Sequence, residues 1–170
     1  MYKNTINKYK AGFTLIELLI VIVIIAILAA VVFVSLDPLQ RFQDARDAAR
    51  ASDVGEMLTA IKVDQIDNGG SYLSAISAMT AGQVYMIGTD VAGCDDDEAS
   101  CDTGIQSDVT CVDLTGLVTE GYLAEVPISP TGAVTWSAGT TGYTLQRDSN
   151  GIIWVRACES ENTTEIVVAR

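Results

Sequence analysis

The stretch that decides the fold is "KYKAGFTLIELLIVIVIIAILAAVVFVSLDP", residues 8–38. From Leu18 to Leu36 it holds nineteen residues without a charge, and Ser35 is their only polar side chain. Counted from Phe13 the apolar block is 24 residues, roughly 36 Å of helix at 1.5 Å per residue. That is enough to span a hydrocarbon core of about 30 Å. One carboxylate, Glu17, interrupts the block near its start.

The charges around this block give it a direction. Lys3, Lys8 and Lys10 precede it, and residues 1–12 contain no acid. The positive-inside rule then predicts a cytoplasmic N-terminus, with residues 37–170 outside the cytoplasm. The whole chain has 10 basic and 22 acidic residues, net −12; without its first twelve residues it has 7 against 22, net −15. So acidic a domain offers no dedicated nucleic-acid site, and its charge reads as a solvated surface. The chain lacks histidine. That excludes Ser-His-Asp and Cys-His catalysis and a His-bearing zinc site.

Three readings compete for the apolar block: a cleaved secretory signal, a plain single-pass anchor, or a segment that needs Glu17. Its length exceeds the 7–15 apolar residues usual in a signal peptide. An acidic or basic residue at the centre of a membrane helix costs about 2.5–3.5 kcal/mol, and less near the ends. A plain anchor gains nothing from that cost. Glu17 therefore calls for a partner charge. The nearest is an α-amine at Phe13, present only if the chain is cut between Gly12 and Phe13. Such a cut leaves the entire apolar block on the mature protein. Snorkelling of Glu17, or pairing with its own chain's amine, stays open as the plainer reading.

"KAGFTLIELLIVIVIIAIL" resembles the class III signal of type IV pilins and pseudopilins, with Gly12 before the cut, Phe13 as the new N-terminus and Glu17 as the fifth mature residue. The resemblance implies cleavage by a prepilin peptidase and N-methylation of Phe13. It implies that Glu17 pairs with the terminal amine of a neighbouring subunit during filament assembly. It also implies an α+β pilin fold, a long N-terminal helix packed on a small antiparallel sheet. The expected organisation is a leader over 1–12, a membrane-spanning and filament-core half over 13–36, an amphipathic half over 37–68 and a globular head over 69–170.

Pro38 interrupts the helix, with Asp37 read as N-cap and Gln40 as the third residue. Pilin-like proteins carry a helix-breaking proline in about this region. Val54, Met57, Leu58, Ile61 and Gln65 mark a core-facing stripe, whereas Arg41, Gln43, Asp44, Arg46, Asp47 and Arg50 are expected to face solvent or a partner. Asn68-Gly69-Gly70 is a stop signal. Further strands are expected at 83–88, 134–136, 143–147 and 152–157, with 148–151 as a hairpin turn. A short helix after Asp113 is expected to stop at Gly121. Residues 166–169 read as a strand or a loose tail.

Four cysteines outside the cytoplasm point to disulfides, and four allow three pairings. Cys94–Cys101, which closes a local loop, and Cys111–Cys158 are the expected pair. Asp95, Asp97 and Glu98, in an acidic loop with Asp96, Asp102 and Asp108, are calcium candidates by oxygen chemistry, without the EF-hand spacing. No other cofactor is expected. "NTT" at 162–164 fits a glycosylation sequon.

The leading function is a structural subunit of a type IV pilus, not an enzyme. Its partners would be further copies of itself in a homopolymeric filament, the prepilin peptidase, an inner-membrane platform protein, an assembly ATPase, and lipid before assembly. It would sit in the inner membrane and then in an extracellular filament serving adhesion, motility or DNA uptake. The alternatives are a pseudopilin of a type II secretion or competence system and, more remotely, a membrane-anchored extracytoplasmic enzyme.

Overall fold

The computed structural model describes residues 12–94, 98–106 and 110–170. The chain is α+β: long N-terminal helices followed by a four-stranded antiparallel sheet. It divides into two compact units between Leu39 and Gln40.

The first unit is dominated by helix α1, Leu15–Leu36. It is long and apolar enough to cross a membrane. Its described side chains are all exposed within the chain, so its Ile, Val and Leu residues gain nothing from intramolecular packing and require an apolar surrounding from elsewhere. Pro38 has no N–H for an upstream carbonyl, and its ring disfavours an α conformation in the residue before it. Helix α1 accordingly ends at Leu36. Asp37 turns to φ 35° and ψ 72°, and helix α2 runs Pro38–Asp67. The chain stops and restarts here. Asp37 is the left-handed C-cap of α1, not the extended N-cap expected of it.

The second unit is the head. Val54, Met57, Leu58 and Ile61 of α2 are buried as the helical periodicity predicts, while Gln65 is half-buried at the edge. Helix α2 ends where Gly69 and Gly70 take φ 66° and 96°, and the Gly70 amide donates to the Gln65 carbonyl at 2.7 Å. A short α3, Ser74–Ser77, follows; its four residues carry no periodicity to read. The sheet is a meander of β1 (Val84–Met86), β2 (Tyr143–Arg147), β3 (Ile153–Ala157) and β4 (Val167–Ala169) in that order. Tyr143, Leu145, Ile153, Val155 and Ala157 lie on one face of β2 and β3 and join the α2 stripe in the core. Alternation at period two sends these residues to one side.

Helix α4, Thr115–Thr119, buries Leu117. Asp113 stands one residue ahead of its cap, and its carboxylate accepts from the Thr115 amide at 2.8 Å. Between β2 and β3 the Asp148 carboxylate accepts from the Asn150 and Ile152 amides, both at 2.8 Å, and fixes the turn. The last apolar run is a strand, not a loose tail.

Two expectations are corrected. Residues 134–136 form no strand. Their polar groups turn instead to the Glu159 carboxylate, which accepts from the Ala133 and Val134 amides and the Trp136 indole at 3.0–3.1 Å. The disulfides join Cys94 to Cys111 and Cys101 to Cys158, not Cys94 to Cys101 and Cys111 to Cys158. The reason lies in the backbone. Ile87 bridges Val112, and the Cys111 amide donates to the Asp90 carbonyl at 3.0 Å, which returns Cys111 to the chain leading into Cys94. The Asp102 amide donates to the Cys158 carbonyl at 2.6 Å and seats Cys101 at the end of β3.

A second small cluster unites Met86, Cys94, Ile105, Trp136 and Cys158. Gly142 underlies it at φ 77°, where an added Cβ would stand 2.6 Å from the Trp136 ring. Gly142→Ala is expected to cost about 2–3 kcal/mol through left-handed strain and overpacking, read as a lowered urea midpoint of the detergent-solubilised, disulfide-intact chain.

Candidate processing and assembly site

The N-terminal site is built on a helix start. Gly12 and Phe13 precede α1, and Phe13 is 84 % exposed. Thr14 is the N-cap in an extended conformation, and Glu17 is the third helical residue. Together they form a capping box. The Glu17 amide donates to Thr14 Oγ1 at 3.3 Å, and Glu17 Oε2 accepts from the Thr14 amide and hydroxyl at 2.8 Å each. The spacing Thr14-x-x-Glu17 is itself a capping-box signature legible in the sequence. The carboxylate thus has a partner within its own chain, and the Thr14 and Glu17 amides at the helix start both find acceptors. Scission between Gly12 and Phe13 would place a new cation one residue from this box.

A second constellation joins the start of α2 to the C-terminal segment. Arg50 is completely buried. Its Nε donates to Ser129 Oγ at 3.1 Å. Its Nη1 donates to Asp47 Oδ1 and Glu161 Oε1 at 2.9 and 2.8 Å, and its Nη2 to the Pro130 carbonyl and Glu159 Oε2 at 3.1 and 3.4 Å. A guanidinium has five N–H groups, and each has an acceptor here. Arg46 grips Glu161 with Nε and Nη2. Asp47 in turn accepts from the Glu161 and Asn162 backbone amides at 3.1 and 2.9 Å. Asp47 and Arg50 therefore do not face solvent, as their place among alternating charges suggested; Arg41 and Asp44 do. Charge alternation along a helix gives no sign of which charges find buried partners contributed from 79 to 111 residues away.

The bonds from Arg46 and Arg50 hold the Glu161 carboxyl far below its ordinary range, at about 2. Burial and the Asp53 carboxylate push the Tyr143 phenol well above its own. Among the described residues no group of three or more His, Cys, Asp or Glu side chains is arranged to hold a metal ion. Asp95 and Asp97 lie outside the described residues, and Glu98 opens a short 3-10 turn to Ser100.

Residues 7–33 match the family model of the prokaryotic N-terminal methylation motif, the class III prepilin signal of type IV pilins and pseudopilins. No curated protein and no solved structure gives a significant match. The motif implies processing by a prepilin peptidase and filament assembly. It points to a structural family and not an enzyme family. With α1 it supports anchoring in a membrane.

Two outcomes are expected for the buried cluster. Arg50→Met leaves buried carboxylates without their cation and should cost about 3–5 kcal/mol, measured by urea denaturation. Glu161 is more acidic in the folded chain than in the unfolded one. Its contribution is complete above about pH 4.5 and is lost as the pH falls toward about 2. Glu161→Gln should flatten the pH dependence of the unfolding midpoint in that window and leave its slope above pH 5 unchanged.

Proposed function

We propose that this chain is a structural subunit of a type IV pilus, cut between Gly12 and Phe13, methylated at Phe13 and polymerised through its N-terminal helix into an extracellular filament. The observation that carries the reading is the methylation motif over residues 7–33 leading into a helix whose described apolar side chains are all exposed. Lipid would cover those side chains before assembly, and the helices of other copies afterwards. In this reading residues 13–36 are the membrane and filament-core half, 37–68 the amphipathic half and 69–170 the head. A platform protein and an assembly ATPase insert each subunit at the filament base, and no cofactor takes part. Adhesion, motility or DNA uptake is the work of the finished filament.

Glu17 supplies the selectivity of insertion. Opposite charges 4 Å apart attract by about 4 kcal/mol at an effective dielectric of 20, before desolvation is subtracted. Keeping even about 1.4 kcal/mol of that favours the correctly seated subunit tenfold. Within one chain the carboxylate already rests on Thr14, so docking exchanges a neutral partner for a cationic one. The acidic loop at 94–101 would suit a calcium-binding pseudopilin instead, and the fractions below separate the two.

The test is intact mass and N-terminal sequencing of chain recovered from membranes and from material sheared off the cell surface. The expected species begins at methylated Phe13 and is abundant in the sheared fraction. A processed chain confined to membranes would favour the pseudopilin. A chain cut after the apolar block would overturn both. Glu17→Val should be processed normally and fall at least about tenfold in the sheared fraction.

A further inference from the structure

The chain treats the two edges of its sheet differently. Strand β1 is covered: the Gln106 amide donates to the Val84 carbonyl at 3.0 Å, and the Val112 amide to the Met86 carbonyl at 2.8 Å. Strand β4 ends the sheet on the other side and pairs only with β3. The Ile166 carbonyl accepts from the Ala157 amide at 3.0 Å, and Arg170 exchanges both of its backbone bonds with Ile153 at 3.0 Å. Antiparallel alternation therefore turns Val168 toward β3, and the amides and carbonyls of Val167 and Ala169 away from it. Among the described residues these four groups have no hydrogen-bond partner. Natural edges are blunted by charges, proline or a bulge. From Ile166 to Ala169 this one carries no charge and no proline, and its register on β3 runs without a break.

The open edge borders a groove of about 400 Å³ between β4 and α2. Ala48, Ala51, Ile166 and Val167 give the groove its apolar lining, and Asp44 and Glu165 stand in its wall. Asp44 accepts from Asn162 through Oδ1 at 2.8 Å. Glu165 accepts from Arg156 and Thr103 through Oε1 at 3.1 and 3.3 Å. Among the described residues the second oxygen of each carboxylate has no partner.

We infer that β4 is a docking edge for an extended, basic segment of a partner protein, which adds antiparallel as a fifth strand and lays alternate apolar side chains in the groove. The backbone sets the shape of the partner. Amides and carbonyls presented at every second residue are met by another strand, whose main chain supplies the affinity and whose alternate side chains supply the selectivity. Charge sets its sign. Asp44 and Glu165 favour a lysine or arginine beside the groove, whereas a second copy would bring the same two carboxylates to the same seam. The excess of acid over residues 13–170, net −15, draws a basic segment from further away and repels another head. The inference concerns the head alone and is the same for a pilin and a pseudopilin.

The test follows the fluorescence anisotropy of a labelled probe peptide, KTVTVTVK with blocked ends, titrated with the full-length, disulfide-intact chain in a neutral detergent. The expected result is saturable binding. Val167→Pro/Ala169→Pro removes the two outward amides and leaves the bonds to β3 in place, and should weaken binding at least about tenfold. The same probe N-methylated at alternate residues should lose at least about as much. An acidic probe, ETVTVTVE, should bind at least about tenfold more weakly than the basic one, and Asp44→Lys should remove most of that preference. Thermal melts establish that the variants fold; if the proline variant does not, the N-methylated probe and Asp44→Lys decide the matter on the unaltered backbone. Absence of saturable binding overturns the inference. So does equal binding by the folded proline variant, by the N-methylated probe or by the acidic probe. A dimer of the unaltered chain that Val167→Pro/Ala169→Pro dissolves would put a second copy on this edge and overturn it as well.

Discussion

The head is organised around a cation removed from water. Isolating a guanidinium in protein costs several kcal/mol unless its donors are matched and its charge is balanced. Arg50 meets both conditions by drawing on Asp47 one helical turn away and on distant parts of the chain: Ser129 and Pro130, and Glu159 and Glu161 just beyond β3. The demand then propagates. Glu159 can serve Arg50 only where it also holds residues 133–136, so that segment is kept from joining the sheet. Glu161 is seated by Arg46 and by the backbone bonds to Asp47. A Cβ at Gly132 would stand 2.8 Å from the guanidinium, which leaves that position no room for a side chain.

The α1 helix obeys the opposite logic. Its described side chains are all exposed, and its one carboxylate is kept at the end, where the Thr14 amide and hydroxyl donate to it. The capping box gives Glu17 a resting place that is adequate for a single copy. In the filament proposed above, a cationic partner would improve on it, and that difference would let assembly discriminate. One chain thus contains a cation matched by acceptors from distant parts of the fold, Arg50, and a carboxylate matched within three residues, Glu17.

Much of this was legible in residues 8–38, because twenty or so apolar side chains and one carboxylate leave few physical alternatives. The core stripe of α2 and strands β2 and β3 were readable for a similar reason, since each is a local periodicity of 3.6 or 2. What escaped the sequence was long-range. Arg50 looks like any surface arginine until Glu159 and Glu161 are placed beside it. The apolar alternation at 134–136 says strand, but a carboxylate 23 to 26 residues further on claims the donors. The cysteine pairing was missed because short loops close most easily, whereas the bridge at Ile87 and Val112 decides which sulfurs meet. Thr14 is a different case: its signal is local, a hydroxyl three residues ahead of a carboxylate, and it offers Glu17 a neutral partner where a charge is expected.

The two disulfides interleave along the chain, since Cys101 lies inside the loop closed by Cys94 and Cys111, and Cys111 inside the loop closed by Cys101 and Cys158. Under a tensile load this sets how far the head can be drawn out. Between residues 94 and 158 an uncrosslinked chain would stretch to roughly 220 Å at 3.3–3.6 Å per residue. The shortest covalent route now runs through about seven residues to Cys101 and across one sulfur bridge, roughly 30 Å in all. A head pulled hard enough to lose its packing would thus give up little length between these points. It would keep the loop that follows β1 within reach of the end of β3.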